Sequence, residues 1–118
     1  LPMKRGDVVI VQFPYVDGSR GKNRPALVVQ NDRDNQRLTH TVIAMITGNT
    51  RHVAETTQVL VDLTTAEGHS AGLNGPSSIK CGNLFTIAQQ DVLRVIGHLS
   101  PPLLNQADQA LKAALQLT

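Results

Sequence analysis

The strongest periodic pattern in this chain lies at its C-terminal end. Ser100 is a favourable N-cap residue and Pro101 suits the first helical position, so together they predict a helix start. Apolar residues then recur at spacings of three and four, which places them on one helical face. They are Leu103, Leu104, Ala107, Ala110, Leu111, Ala114 and Leu115. The chain is therefore predicted to end in one helix whose apolar face packs on the rest of the fold.

Before that helix, short runs rich in β-branched residues alternate with polar loops. The runs predicted as strands are residues 6–13, 25–30, 41–47, 58–61, 78–85 and 94–99. The polar loops at 14–23 and 31–37 are too short for crossover helices. This order predicts an α+β fold: an SH3-like, mostly antiparallel and strongly curved β-barrel with a C-terminal α-helix.

Smaller signals refine this outline. Pro25 has no backbone donor, so we expect it to begin its strand rather than lie within one. Gly82 is expected to mark a β-bulge or a close backbone approach. Residues 64–76 are predicted to be loop with at most one helical turn, and residues 89–93 a short helical turn.

Length and composition narrow the class of protein. The 118 residues fit one domain, predicted over 3–118, with Leu1 and Pro2 before Met3 expected to be an appended remnant. The single cysteine, Cys81, excludes an internal disulfide and favours a reducing, cytoplasmic location. No run of about 18 apolar residues and no basic-then-apolar leader occurs, so no membrane segment is predicted.

The chemistry available points to phosphate binding. Residues 1–52 carry a formal charge of +4 and residues 53–118 carry −2, so a basic N-terminal half could face a polyanion. The four histidines have no ligand spacing, and phosphate-loop, dinucleotide and nucleophile-elbow motifs are absent, so no metal or cofactor is expected. Aromatic residues make up only 3%, which argues against a base-stacking platform.

Two positions are candidates for a site. Arg24 lies where a basic polar loop meets an apolar strand, so its guanidinium is rooted on rigid backbone. Thr47 ends an apolar strand just before Gly48-Asn49, where a hydroxyl can reach a cleft. An ordinary surface arginine and an ordinary strand threonine remain the alternative interpretations.

The chain resembles the MazF/PemK family, the toxins of bacterial toxin–antitoxin pairs. The resemblance begins at Lys4-Arg5-Gly6-Asp7-Val8-Val9 and continues through Gly18-Ser19. It then covers Asn23-Arg24-Pro25 with the strand that follows, Ala44-Met45-Ile46-Thr47, and the segments 78–87 and 99–118. Two departures stand out: the first loop is basic and one residue shorter, and Gly82-Asn83 replaces Glu-Gln.

The resemblance implies a homodimeric, metal-independent endoribonuclease, an mRNA interferase that cleaves single-stranded RNA at short sequences and inhibits translation. It also implies a cognate antitoxin with an acidic disordered tail, and DNA binding together with that antitoxin. The catalytic residues would be Arg24 and Thr47, and His52 is the candidate for proton transfer. RNA contacts are assigned to Ser19, Arg20, Lys22, Asn23 and Asn49. The alternatives are a non-catalytic toxin of the same fold that binds a protein such as DNA gyrase, and a small RNA-binding barrel.

Overall fold

The computed structural model describes residues 3–13 and 22–117. Six strands and three α-helices form in this part of the chain, and a 3-10 turn at Gln89–Asp91 joins the last two strands. The strands are β1 (Asp7–Gln12), β2 (Asn23–Val28), β3 (His40–Thr47), β4 (Gln58–Val61), β5 (Ser77–Ala88) and β6 (Val92–His98). The helices are α1 (Asp32–Arg37), α2 (Ala66–His69) and α3 (Pro101–Leu115).

The strands form one antiparallel sheet in the order β4-β5-β3-β2-β1-β6. This confirms the predicted α+β fold, although the sheet does not close by hydrogen bonds, since β4 and β6 are its edges. The sheet is nevertheless strongly curved. Phe13, just after β1, and Phe85 of β5 meet edge to face with ring centroids 5.4 Å apart, across two intervening strands.

Each face of the sheet has its own apolar cluster. The helix-side core includes Val8, Leu27, Ile46 and Ile79 together with buried residues of α3. The inner core, on the face that curls inward, contains Val9, Val11, Ala26, Val28 and Ile43. Successive residues of a strand point to opposite faces of the sheet. A residue next to a member of one cluster therefore points to the other face.

Helix α3 begins and packs as the periodicity predicts. Leu103, Ala107 and Ala110 are buried in the helix-side core, while Leu115 at the end of the stripe is 53% exposed. Ser100 occupies the N-cap position, but its hydroxyl makes no capping hydrogen bond. The N-cap position is therefore confirmed and the side-chain cap is not.

The predicted loop at 31–37 is wrong, because residues Asp32–Arg37 form helix α1. Asn31 caps this helix: its side-chain oxygen accepts a hydrogen bond from the Asp34 N–H at 2.9 Å. The Asn31 cap and the acidic residues Asp32 and Asp34 in the first turn stabilise the helix, although it has no apolar stripe. The polar composition that suggested a loop is here the composition of a short surface helix.

The strand start at Pro25 is also wrong, since β2 begins at Asn23. β3 pairs with β2 only over Ala26–Val28, so Pro25 lies where β1 alone is its partner. A missing N–H is tolerated at such an edge position. The bulge at Gly82 is confirmed: the β3–β5 register jumps between Ala44–Leu84 and Met45–Lys80.

The remaining smaller predictions hold. Helix α2 supplies the one turn expected within 64–76, and the 3-10 turn Gln89–Asp91 lies within the predicted turn at 89–93. None of the helices in the described ranges is long and apolar enough to cross a membrane.

Candidate functional site

Arg24 is the second residue of β2, and its side chain is exposed. Within residues 3–13 and 22–117 its guanidinium makes no hydrogen bond and no ion pair with another side chain. It pairs with Val11 of β1, whose side chain is buried in the inner core. Arg24 therefore projects from the inner face of the sheet, with all five of its N–H donors available to a ligand.

Thr47 is the last residue of β3, half-buried and paired with Ser78 of β5. Its hydroxyl oxygen accepts a hydrogen bond from the Asn49 N–H at 3.2 Å, which fixes the side chain beside the turn that follows the strand. A hydroxyl has one donor and two acceptor lone pairs. The Thr47 O–H is thus left to donate to a ligand from a fixed position.

The strand register brings Arg24 and Thr47 together. Ala26 of β2 pairs with Met45 of β3. Continuing this register by two residues, toward the start of β2 and the end of β3, sets Arg24 opposite Thr47. Both positions share the face of Ala26, which belongs to the inner core. Because the two side chains project from the same face of adjacent strands, they can approach one bound group.

Three further polar side chains lie beside Thr47 on this face, and sequence reasoning missed them. Ser78 is fully buried and its hydroxyl donates to the Gln58 side-chain oxygen at 2.8 Å. Gln58 of β4 pairs with Lys80 of β5, which pairs in turn with Met45. One signal in the sequence could have found them: Lys80 stands between the apolar residues Ile79 and Cys81. Strand alternation places its charge on the face opposite to theirs.

The predicted RNA-contacting residues fall into different places. Ser19 and Arg20 lie outside the described residues. Lys22 and Asn23 are exposed immediately before Arg24. Asn49 follows Thr47, and its side-chain oxygen accepts the Arg51 N–H at 3.0 Å, which leaves its amide N–H₂ to contact a ligand.

His52 lies in the exposed loop between β3 and β4. In the part of the chain that the structure describes, its ring makes no hydrogen bond to the side chains of Arg24 or Thr47. His52 thus follows β3 by five residues, and among the described residues no side-chain hydrogen bond orients its ring.

A cavity of about 480 Å³ opens at the same end of the sheet, on the helix side. Asn23 and Gly48 line it, each adjacent in sequence to one of the two site residues, and strand alternation directs the Asn23 side chain away from the Arg24 side chain. The other lining residues are Ile10, Pro25, Gly72, Leu73, Asn74, Gly75, Pro76, Ser77, Arg94 and Ile96. The strand ends thus separate a cationic inner face from a mixed polar and apolar cavity.

The groups assembled here favour binding of a phosphodiester over other chemistry. Arginine, lysine and hydroxyl donors suit phosphate oxygens. Among the described residues no group of three or more histidine, cysteine or acidic side chains is placed to hold a metal ion. Burial raises the pKa of the Cys81 thiol to about 11, and that side chain faces the helix-side core, so it offers no thiolate to the site.

The chain is similar to known toxins and endoribonucleases. Residues 4–115 match the family model described as PemK-like, MazF-like toxin of type II toxin-antitoxin system. Endoribonuclease EndoA of Bacillus subtilis is 31% identical over 116 residues, covering 98% of this chain and 96% of the relative. Endoribonuclease MazF9 of Mycobacterium tuberculosis is 37% identical over 121 residues, covering 98% of each.

Solved structures share the fold. Mycobacterium tuberculosis toxin MazF-mt6 superposes with a TM-score of 0.76 at 30% identity, covering 95% of this chain and 98% of that one. An endoribonuclease in complex with its cognate antitoxin from a mycobacterial species has a TM-score of 0.80 at 22% identity, covering 98% and 97%. At 22% identity, the similarity to this complex shows a shared fold only.

Proposed function

Since this chain belongs to the family of PemK-like, MazF-like toxins of type II toxin–antitoxin systems, we propose that it is an endoribonuclease that cleaves single-stranded RNA without a metal ion. The observation that carries the proposal is the β2–β3 register, which pairs Ala26 with Met45 and, continued by two residues, sets Arg24 opposite Thr47. The endoribonuclease names of EndoA and MazF9, which align with nearly the whole chain, support the same activity.

In the proposed reaction RNA supplies its own nucleophile. The 2′-oxygen bonds to the adjacent phosphorus and the bond from phosphorus to the 5′-oxygen breaks, which gives a 2′,3′-cyclic phosphate and a 5′-hydroxyl. One proton leaves the 2′-hydroxyl and one reaches the departing 5′-oxygen. The protein must align these atoms and stabilise the charge that builds on the non-bridging oxygens.

Arg24 is assigned to those oxygens, because a guanidinium offers two parallel donors to a phosphate. Thr47 adds a hydroxyl donor held by the Asn49 N–H. Each preorganised donor is expected to contribute about 10²–10³ in rate. Arginine stays protonated at neutral pH, so it cannot accept the proton of the 2′-hydroxyl. That transfer is proposed for His52, because an imidazole can accept and donate a proton through its two ring nitrogens.

Lys22, Asn23 and Asn49 are proposed to hold the RNA around the cleavage point, together with Ser19 and Arg20 of the first loop. The cavity beside Asn23 and Gly48 has the size and the mixed lining of a small-ligand pocket, which suits a base turned out from the strand. We assign the preference for particular RNA sequences to this cavity.

Two assemblies are part of the proposal. A cognate antitoxin would cover the cationic inner face with an acidic segment that folds on binding. A homodimer is proposed from family membership. The solved complex of a mycobacterial endoribonuclease with its cognate antitoxin, which has the same fold, supports the antitoxin partner.

The test is incubation of the purified protein with a mixed-sequence single-stranded RNA in the presence of EDTA. Discrete fragments ending in 2′,3′-cyclic phosphate are expected. Intact RNA under these conditions, with a natively folded protein, overturns the proposal and favours a toxin that binds a protein target. Retarded but uncleaved RNA favours a simple RNA-binding domain.

A further inference from the structure

Lys80 reaches the inner face from the middle of β5. Its neighbours Ile79 and Cys81 are both fully buried in the helix-side core, so alternation directs Lys80 to the opposite side. That is the face from which Arg24 and Thr47 project. β5 pairs with β3 in continuous register from Ser78 to Lys80, and the register jumps directly after Lys80.

The register sets the position of Lys80 relative to Thr47. Thr47 pairs with Ser78 and Met45 pairs with Lys80, so Lys80 is the diagonal cross-strand neighbour of Thr47. Such diagonal neighbours are about 7–8 Å apart, within reach of long side chains. Arg24 approaches Thr47 from β2 and Lys80 approaches it from β5. In the sheet, Thr47 of β3 therefore lies between two positions that carry cationic side chains, one on β2 and one on β5.

The ammonium group of Lys80 has no acidic counterpart in the described ranges. No carboxylate forms an ion pair with it, and its cross-strand neighbours are Met45 and Gln58. The Gln58 side-chain oxygen already accepts the Ser78 hydroxyl. The side chain is half-buried, so its stem is held against the sheet. A positioned and unneutralised cation of this kind is suited to an anion from outside the chain.

We propose that Lys80 binds a phosphate of the RNA next to the scissile one, which makes the site a two-cation clamp with Thr47 at its centre. This inference rests on the proposed function for the identity of the ligand. Lys80 acts here in binding and register, and Arg24 and Thr47 act on the reacting phosphate. A lysine ammonium group can bind a phosphate as a point charge. The scissile phosphate is assigned to Arg24, because a guanidinium can donate two parallel hydrogen bonds to it.

The experiment compares wild-type protein with Lys80→Met, which keeps the length of the stem and removes the charge. Binding is measured with single-stranded 2′-fluoro RNA, which lacks the nucleophile, across a series of salt concentrations. Loss of one phosphate contact is expected to reduce the slope of log affinity against log salt by about 0.7 and to weaken binding roughly tenfold at low salt. On cleavable RNA, KM should rise while kcat stays within about threefold.

Two controls make the result specific. Lys112→Met removes an equal charge from the exposed last turn of α3, on the other side of the sheet, and should leave the slope unchanged. Lys80→Arg should keep the slope of the wild type. Circular dichroism and the denaturation midpoint of Lys80→Met show whether the variant is folded.

An unchanged slope and affinity in folded Lys80→Met overturns the inference, and so does a fall in kcat with unchanged binding. An equal loss in Lys112→Met also overturns it, because the effect would then be one of net charge. Failure of the wild type to cleave RNA overturns the proposed function instead. The binding measurement with 2′-fluoro RNA separates these two failures, since it needs no cleavage.

Discussion

Arg24 stands opposite Thr47 when the β2–β3 register is continued two residues beyond its last pair, Ala26 with Met45. The two residues are 23 positions apart in sequence, and only the antiparallel pairing of their strands joins them. The β2–β3 ladder ends before it reaches them. The Arg24 side chain has no partner within the described ranges, while the Thr47 oxygen is held by the following turn.

Removal of either group should abolish most cleavage without unfolding the protein. Arg24→Ala and Thr47→Val are each expected to lower kcat/KM by about 10²–10³. Because Arg24 is exposed, its loss should change the free energy of unfolding by no more than about 0.5 kcal/mol. Single-turnover cleavage of a labelled RNA measures the effect.

Thr47→Ser is the matched control, because it keeps the hydroxyl and should stay close to wild-type activity. The double variant Arg24→Ala/Thr47→Val should lose less than the product of the single losses, since both groups stabilise one transition state. Full activity in Arg24→Ala would remove that residue from the proposed mechanism.

The loop that borders the cavity depends on a glycine. Gly72 has φ +73°, and a Cβ there would collide with the carbonyl oxygen of Ile96. Gly72→Ala is therefore expected to destabilise the fold by at least about 2 kcal/mol, measured by urea denaturation. Gly75→Ala, in the same loop, meets open space and should change stability by less than about 1 kcal/mol. Equal stability of the two variants would contradict this account of the loop.

The N-terminal segment is tied to α3 through Arg5. Its guanidinium donates to Asp108 at 2.6 Å and to the Val29 carbonyl oxygen at 2.9 Å. A double-mutant cycle with Arg5→Met and Asp108→Asn should give a coupling of about 0.5–1 kcal/mol, because the pair is partly exposed. The exposed Arg37–Asp34 pair within α1 is the reference, and its coupling should be the weaker of the two because solvent screens it more. A smaller coupling energy for the Arg5–Asp108 pair than for the Arg37–Asp34 pair would show that Arg5 does not stabilise the packing of the N-terminal segment on α3.

Cys81 should make the fold sensitive to alkaline pH. Desolvation raises the pKa of its thiol from 9.0 to about 11, with a smaller contribution from the Asp108 charge. Above pH 9 the unfolded chain loses this proton and the folded chain retains it, so stability should fall as pH rises toward 11. The slope attributable to this one group is at most about 1.4 kcal/mol per pH unit.

Urea denaturation at pH 8, 9, 10 and 11 measures this, with Cys81→Ala as the reference that cannot titrate. The stability difference between wild type and variant should shrink over that range. Thiol-specific reagents should also leave Cys81 untouched in the folded protein and modify it in urea. A constant difference between the two proteins across the pH series would show that the thiol does not titrate differently on folding.

The sequence alone predicted the α+β class, the terminal helix and the bulge at Gly82, because alternation and helical spacing are local properties of a chain. The choice of Arg24 and Thr47 as catalytic residues comes from family motifs and stays a prediction. Sequence reasoning failed at 31–37, where a side-chain cap at Asn31 turns a polar stretch into α1, and at Pro25, where an unpaired edge permits a proline inside β2. Which strands become neighbours depends on burial across the whole sheet. Only the tertiary structure could therefore set Arg24 opposite Thr47, bring Lys80 beside it, and place Asn23 on the other face at a cavity.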